Sequence, residues 1–301
     1  MTLVECVPNV SEGRRLEVVD EIAAAVRDTP GVDLLDVQSD ASHNRSVLTF
    51  VGEQDAAAEA AFRVIAAAAH LIDLNQHQGA HPRFGAADVV PFVPLRAGDM
   101  PVCVQTAHRL GRRVAAELQI PVYYYEAAAS SPRRRNVADV RAGEFEGLRA
   151  VIETDPTRRP DEGPTHIHPT AGAAAIGARP PLIAFNVNLA SADLELARRI
   201  AHEVRERDGG LPKVKAIGLT IEHGVQVSMN LTDFGVTGPL AALRAVAERA
   251  AAAGVDVMGS EIVGLVPLDA LVGLAGEALA TPHFSDRQVL EARVLERFLS
   301  P

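Results

Sequence analysis

Two successive copies of a β-α-β-β-α-β order predict an α/β (α+β) chain built as two ferredoxin-like subdomains, residues 1–178 and 179–301, with their sheets facing a ligand crevice. Short branched runs alternate with segments whose apolar residues recur every three and four positions. The order restarts after the proline-rich Ala178-Arg179-Pro180-Pro181. A length of 301 residues, 48% of them hydrophobic, suffices for two modest cores.

The first copy opens with an apolar run, Leu3 to Val7, and a helix from about Arg14 to Arg27. Leu16, Val19, Ile22, Ala23 and Val26 share one face of that helix, and Thr29-Pro30-Gly31 stops it. Asp33 to Gln38 and Ser46 to Val51 are rich in branched residues and flank the polar loop Ser39 to Arg45, as two strands would. A second helix is expected over Gln54 to Asp73, and a strand over Asp88 to Val93. A helix near Val102 to Leu118 and a strand at Pro121 to Tyr125 extend the unit.

The second copy reads Leu182 to Leu189 as a strand and Asp193 to Arg207 as a helix. Lys213 to Ile221 and Val225 to Leu231 follow as a hairpin turning at Glu222-His223-Gly224. Pro239 to Ala253 is its second helix and Val255 to Val266 its last extended segment. Each such unit puts its helices on one face of the sheet and leaves the other needing cover, which two bare faces meeting each other, or a dimer partner, would supply.

Composition excludes several classes. A formal charge of -10 argues against a nucleic-acid duplex binder, which carries a basic face. Two cysteines, Cys6 and Cys103, form no C-x-x-C pair and no disulfide framework, which fits two core residues in a reducing cytoplasm. No segment approaches the roughly 20 apolar residues of a membrane span, and no basic and apolar leader opens the chain.

The richest stretch is Gln76-His77-Gln78-Gly79-Ala80-His81-Pro82-Arg83-Phe84-Gly85-Ala86-Ala87-Asp88, which gathers two imidazoles, a guanidinium and a carboxylate among glycine and proline. Such a loop costs chain entropy and is more often functional than a regular element. No G-x-x-x-x-G-K loop, G-x-G-x-x-G turn or G-x-S-x-G elbow is present. His77 and His81 stand four apart, but Gly79 and Pro82 oppose a helix there and no glutamate follows His77, so no metal is expected. On residues alone, His81 is equally a loop hydrogen-bonding group before Pro82.

Segments along nearly the whole chain resemble the glutamate formimidoyltransferase family. They are Val4-Glu5-Cys6-Val7-Pro8-Asn9-Val10-Ser11-Glu12-Gly13, Leu34-Leu35-Asp36-Val37 with Asn44-Arg45-Ser46, and His77-Gln78-Gly79-Ala80-His81-Pro82-Arg83 with Gly85-Ala86-Ala87-Asp88-Val89-Val90-Pro91-Phe92. Downstream come Val140-Arg141-Ala142-Gly143-Glu144-Phe145-Glu146, Gly177-Ala178-Arg179 with Leu182-Ile183-Ala184-Phe185-Asn186-Val187-Asn188-Leu189, Gln226-Val227-Ser228-Met229-Asn230-Leu231, and Gly259-Ser260-Glu261-Ile262-Val263-Gly264-Leu265-Val266-Pro267. The resemblance implies transfer of a formimidoyl group from N-formimidoyl-L-glutamate to N5 of tetrahydrofolate, releasing L-glutamate in histidine degradation, with tetrahydrofolate as co-substrate. It also implies two α/β subdomains and a homodimer.

By the same resemblance His81 is the catalytic acid or base, a role that suits an imidazole titrating near neutral pH. Arg45 and Arg83 are candidates for gripping substrate carboxylates, since a guanidinium matches a carboxylate with two parallel bonds; the alternative is internal pairing with Asp88 or Asp40. Asp40 and Asp88 are candidates to orient His81 or hold the amidinium, and His77 to position the pterin or brace the loop. The folate loop of the family aligns with Gly163-Pro164-Thr165-His166-Ile167-His168-Pro169-Thr170-Ala171-Gly172, at the expected junction of the subdomains, where a plain linker would look similar.

Two positions depart from the mammalian pattern. Ala171 stands where those members carry an aromatic, and Gln38 where they carry an aspartate. The chain also ends at Pro301 without a cyclodeaminase domain, so a separate cyclodeaminase is the expected metabolic partner. The alternatives within reach are a folate-binding protein without turnover, an RNA-binding sheet resting on Tyr123, Tyr124 and Tyr125, and an enzyme of N-formyl-glutamate or 5-formyl-tetrahydrofolate.

Overall fold

A computed structural model of the chain describes residues 2–281 and 283–293. The chain divides into two units, Met1–Pro180 and Pro181–Pro301.

The first unit starts with one strand broken into β1 (Leu3–Cys6) and β2 (Asn9–Val10), followed by α1 (Leu16–Arg27), β3 (Val32–Asp40), β4 (Arg45–Glu53), α2 (Gln54–Leu71) and β5 (Ala87–Pro94). Then come α3 (Met100–Leu118), β6 (Val122–Glu126), α4 (Val137–Val140), α5 (Glu144–Val151) and β7 (Ala174–Ala178). The sheet runs β3, β4, the broken strand, β5, β7, β6. Neighbours are antiparallel as far as β5 and parallel beyond it. This is the ferredoxin-like strand order with two parallel strands added at one edge.

The helices form because their apolar residues fall on one face. Val19, Ile22, Ala23 and Val26 of α1 and Ala57, Ala60, Ala61, Val64, Ile65 and Ala68 of α2 are buried. All but Val19 join Leu48, Phe50 and Phe92 of the sheet in one core. Each fully buried phenylalanine there contributes about 1.5–3 kcal/mol. Cys6 and Cys103 are free and buried in that core, as expected.

Strand β5 is buried at all eight positions, the pattern of a strand covered on both faces. Pro91, lacking an N–H, is tolerated in this central strand because it lies opposite the break between β1 and β2. Val7 N donates to Pro91 O there at 3.1 Å, and Leu48 N donates to Pro8 O at 3.0 Å.

The sequence gives no sign of β7, whose Ala-Ala-Ile-Gly-Ala composition lacks strand formers. Its glycine is required by a neighbour. A Cβ on Gly177 would lie 2.5 Å from the Tyr125 ring, the residue it pairs with on β6. Because β7 follows residues 163–172, that loop lies inside the first unit and not at the junction expected from its composition.

The second unit repeats the order as β8 (Ile183–Leu189), α6 (Leu194–Val204), β9 (Val214–Ile221), β10 (Gly224–Leu231), α7 (Pro239–Ala252) and β11 (Val257–Val263), with α8 (Leu268–Ala278) beyond. Its four antiparallel strands run β11, β8, β10, β9, again the ferredoxin-like order. The Asp193 side chain caps α6 by accepting from Glu195 N at 2.9 Å and Leu196 N at 3.2 Å. Phe185, Val187, Val227 and Met229 face Leu196, Ile200 and Val246 in a separate core. Among the described residues no helix is long and apolar enough to cross a membrane.

Candidate active site

The loop between α2 and β5 is held at both ends. Asn44, in the turn between β3 and β4, donates from Nδ2 to Gln78 O at 3.0 Å and accepts from Gly13 N at 3.0 Å. Gly79 passes so close to this turn that a Cβ on it would lie 2.2 Å from His43 O. Only glycine permits that approach.

His81 sits half-buried at the centre. Its Nδ1 lies 2.8 Å from the carbonyl of Pro82, which only accepts, so Nδ1 is assigned the proton and Nε2 is left as the ring's acceptor. Arg45, the first residue of β4, sets Nη1 against the edge of the ring, 2.8 Å from Nδ1 and in contact with Nε2. Burial holds the imidazole well below its ordinary pKa, and the charges of Arg45 and Arg141 add to it, against the opposing pull of the Pro82 carbonyl. The surroundings of His81 therefore disfavour its imidazolium form.

Two guanidiniums converge here. Arg45 Nη2 donates to Asn9 Oδ1, while Arg45 Nε is buried with no partner. Arg141 donates from Nη1 to Asp88 Oδ2 at 2.7 Å and to Pro82 O at 3.2 Å, and its Nε is likewise buried and unpartnered. Burial, and then repulsion from Arg141, lowers the pKa of Arg45 to about 10. An unsatisfied buried N–H costs about 1–3 kcal/mol, and a carboxylate would relieve both.

The two aspartates named from sequence do not touch His81. Asp88, buried on β5, accepts from Phe84 N at 2.9 Å and holds Arg141. Asp40, closing β3, pairs with His43 Nδ1 at 2.9 Å and accepts from His43 N at 2.7 Å. The side-chain bond from His43 depresses the Asp40 carboxyl below its usual value. The His43 ring stands edge-on to His81, 6.0 Å between centroids. Asp40 thus reaches His81 through His43, which sequence analysis passed over as part of a polar loop; the three-residue spacing of Asp40 and His43 was its only signal.

Arg83 is engaged elsewhere. Its Nη1 and Nη2 bond Glu146 at 2.8 and 2.7 Å, and Nη1 also meets Glu144 at 3.2 Å. Its Nε donates to His77 Nδ1 at 3.2 Å, and His77 Nε2 donates to Asn44 O at 2.9 Å. Burial lowers the pKa of His77 and Arg83 lowers it further. The segment 140–146 therefore supplies two devices, Arg141 beside His81 and the Glu144–Glu146 pair on Arg83. Arg141 is the further arginine that its sequence position alone did not mark.

Residues 163–172 are tied to both ends of the His81 loop. Leu74 N donates to Thr170 O at 2.9 Å, and Ala86 N donates to Ala171 O at 2.8 Å. Gly172 takes φ +72° with Phe84 O at its back. His168 Nδ1 accepts from Ala171 N at 3.0 Å, and its pKa is lowered by burial and then by His166. Ile167, Ala171 and Gly172 are buried, His168, Pro164 and Thr170 half-buried, and Gly163, Thr165, His166 and Pro169 exposed. Ala171 therefore presents no surface to a stacked ring. No group of three or more His, Cys, Asp or Glu side chains that could hold a metal ion occurs among the described residues.

The family model described as formiminotransferase domain, N-terminal subdomain, matches residues 3–179, and the one described as formiminotransferase domain matches residues 184–285. The chain is 43% identical over 297 residues to a glutamate formimidoyltransferase of Streptococcus pyogenes serotype M1, covering 97% of this chain and 99% of that protein. It is 46% identical over 298 residues to a glutamate formimidoyltransferase of Thermoplasma acidophilum, covering 98% of each. It is also 46% identical over 281 residues to a formimidoyltransferase-cyclodeaminase of Sus scrofa, covering 91% of this chain and 52% of that protein.

Proposed function

The chain belongs to the formiminotransferase family, and from that premise we propose that it is a transferase moving the formimidoyl group of N-formimidoyl-L-glutamate to N5 of tetrahydrofolate, with release of L-glutamate. The observation that carries the mechanism is the His81 imidazole, its Nδ1 held on the Pro82 carbonyl, beside two arginines with unpartnered N–H groups.

The chemistry follows from that geometry. A carboxylate of the glutamate donor docks on Arg45 and Arg141 and satisfies their free N–H groups. N5 attacks the amidine carbon and forms a C–N bond, while His81 Nε2, released by Arg45 as that guanidinium turns to the bound carboxylate, takes the N5 proton. The tetrahedral intermediate then collapses as the same proton passes to the glutamate nitrogen, the old C–N bond breaks, and glutamate leaves as an amine.

Carboxylate binding also tunes the base. In the free protein the two arginine charges disfavour imidazolium; a bound carboxylate offsets them and raises the pKa of His81 toward neutrality. His81 is then poised to donate as readily as it accepts. Asp40 steadies His43 against the ring, and Asp88 holds Arg141. Residues 163–172 present the exposed Gly163 and Thr165 to the folate. Arg83 braces the loop through Glu146 and His77.

The test is an assay of purified protein with tetrahydrofolate and either N-formimidoyl- or N-formyl-glutamate, following glutamate release and methenyl-tetrahydrofolate absorbance after acid treatment. Turnover with the formimidoyl donor is expected. Folate binding without turnover on either donor would overturn the reading.

A further inference from the structure

The sheet of the second unit carries a polar cluster on the face away from α6 and α7. On β8 the residues alternate, with Phe185 and Val187 in the core and Asn186 and Asn188 opposite. Gln226 pairs with Asn188 across the β8–β10 ladder, and Glu261 pairs with Asn186 across the β8–β11 ladder. Directly opposed residues share a face, so these four side chains meet on one side. Gln226 Nε2 donates to Glu261 Oε1 at 2.9 Å and to Asn188 Oδ1 at 2.8 Å, while Asn186 Nδ2 donates to Glu261 Oε1 at 3.1 Å.

The orientation of Gln226 is dictated by its partners. Reversing the amide would set two acceptors against each other at Glu261, so Nε2 must face the carboxylate. Its Oε1 then points away, and although Gln226 is only 1% exposed, that oxygen has no partner. Both donors meanwhile converge on Oε1 of Glu261 and leave Oε2 outside those bonds. A buried acceptor beside a carboxylate, with the donors already spent, calls for a ligand rich in N–H groups.

We propose that Glu261 and Gln226 form a subsite for a group carrying N–H donors on both sides of one carbon. An amidinium and the 2-aminopyrimidine edge of a pterin share that pattern. The inference rests on the transferase reading above, whose two co-substrates bear these two groups. Asn186 and Asn188 are positioning residues that hold the carboxylate and the amide in place.

Glu261→Gln is the discriminating variant, because its Oε1 can keep both internal bonds while an N–H donor replaces the other oxygen. Calorimetric titration of wild type and variant with tetrahydrofolate, N-formimidoyl-glutamate and N-formyl-glutamate, beside a thermal melt, reads the outcome. The variant is expected to bind at least one ligand about tenfold or more weakly with its melt unchanged. Loss confined to tetrahydrofolate identifies the pterin edge; loss for the formimidoyl donor and not the formyl one identifies the amidinium. Gln226→Leu, which removes the lone oxygen and suits a strand, is expected to weaken the same ligand and serves if Glu261→Gln does not fold.

Affinities within twofold of wild type for every ligand, in either variant, would overturn the subsite. So would a wild type that binds neither co-substrate. Binding is read apart from turnover, so a wild type that binds but does not transfer would sink the transferase reading and leave the subsite standing.

Discussion

Arg45 packs a guanidinium nitrogen against the ring edge of His81, in contact with its acceptor nitrogen Nε2, although both groups are bases that repel when charged. The contact is stable only while the imidazole is neutral. That condition links the electrostatics of the site to its use as a proton acceptor, and the predictions below follow from it.

The His81 titration should lie well below the ordinary histidine range in the free protein, followed through its ring-proton signal by NMR. Its folded pKa is depressed, so the folded state resists protonation, and stability is lost progressively as pH falls from the unfolded value of about 6.5 to the lower folded one. Saturation with glutamate, whose carboxylates offset Arg45 and Arg141, should move the titration upward. A free-protein titration near 6.5 that ignores glutamate would contradict the arrangement.

Replacing Arg45 with Met should raise KM for the formimidoyl donor about tenfold or more, since a hydrogen-bonded charge contributes about 1.5–3 kcal/mol. The same change removes a cation beside the ring and should shift the acid limb of kcat/KM to higher pH. A higher KM with an unmoved limb would separate Arg45 from the tuning of His81.

Arg83→Ala should act mainly on stability, by about 1–3 kcal/mol, because it unties His77 and the Glu144–Glu146 pair from the loop. Its effect on donor KM should stay well below that of Arg45→Met. An equal rise in KM would return Arg83 to the role of carboxylate grip.

Gly172→Ala should lower the melting temperature, because φ +72° is unfavourable for alanine by about 1–3 kcal/mol and the added Cβ would lie 2.2 Å from Phe84 O. Gly147→Ala makes a fair control. That position lies within α5 with open space around its Cβ, and the change should be neutral or stabilising by up to about 1 kcal/mol.

Most of the fold was legible because its elements obey simple periods. The faces of α1 and α2 and the β9–β10 hairpin follow from spacing and turn residues, and the doubled β-α-β-β-α-β order follows from them. Strand β7 was not legible, because its alanines carry no strand signal and its Gly177 is set by the Tyr125 ring packed on it. For the site, the loop around His81 declared itself by composition. Its partners did not, since His43, Asn9 and Arg141 come from a turn, a broken strand and a distant segment that only the folded chain brings together. Sequence could nominate Arg83 as a guanidinium, yet only the fold shows Glu146 filling its fork.

The most direct test of the account is formimidoyl transfer by His81→Ala, measured beside wild type with the melting curve of each. Turnover should fall by at least about a hundredfold with the fold intact, and the residual activity should lose the acid limb assigned to the imidazole. Turnover at the wild-type rate would contradict the assignment of His81 as the group that moves the proton.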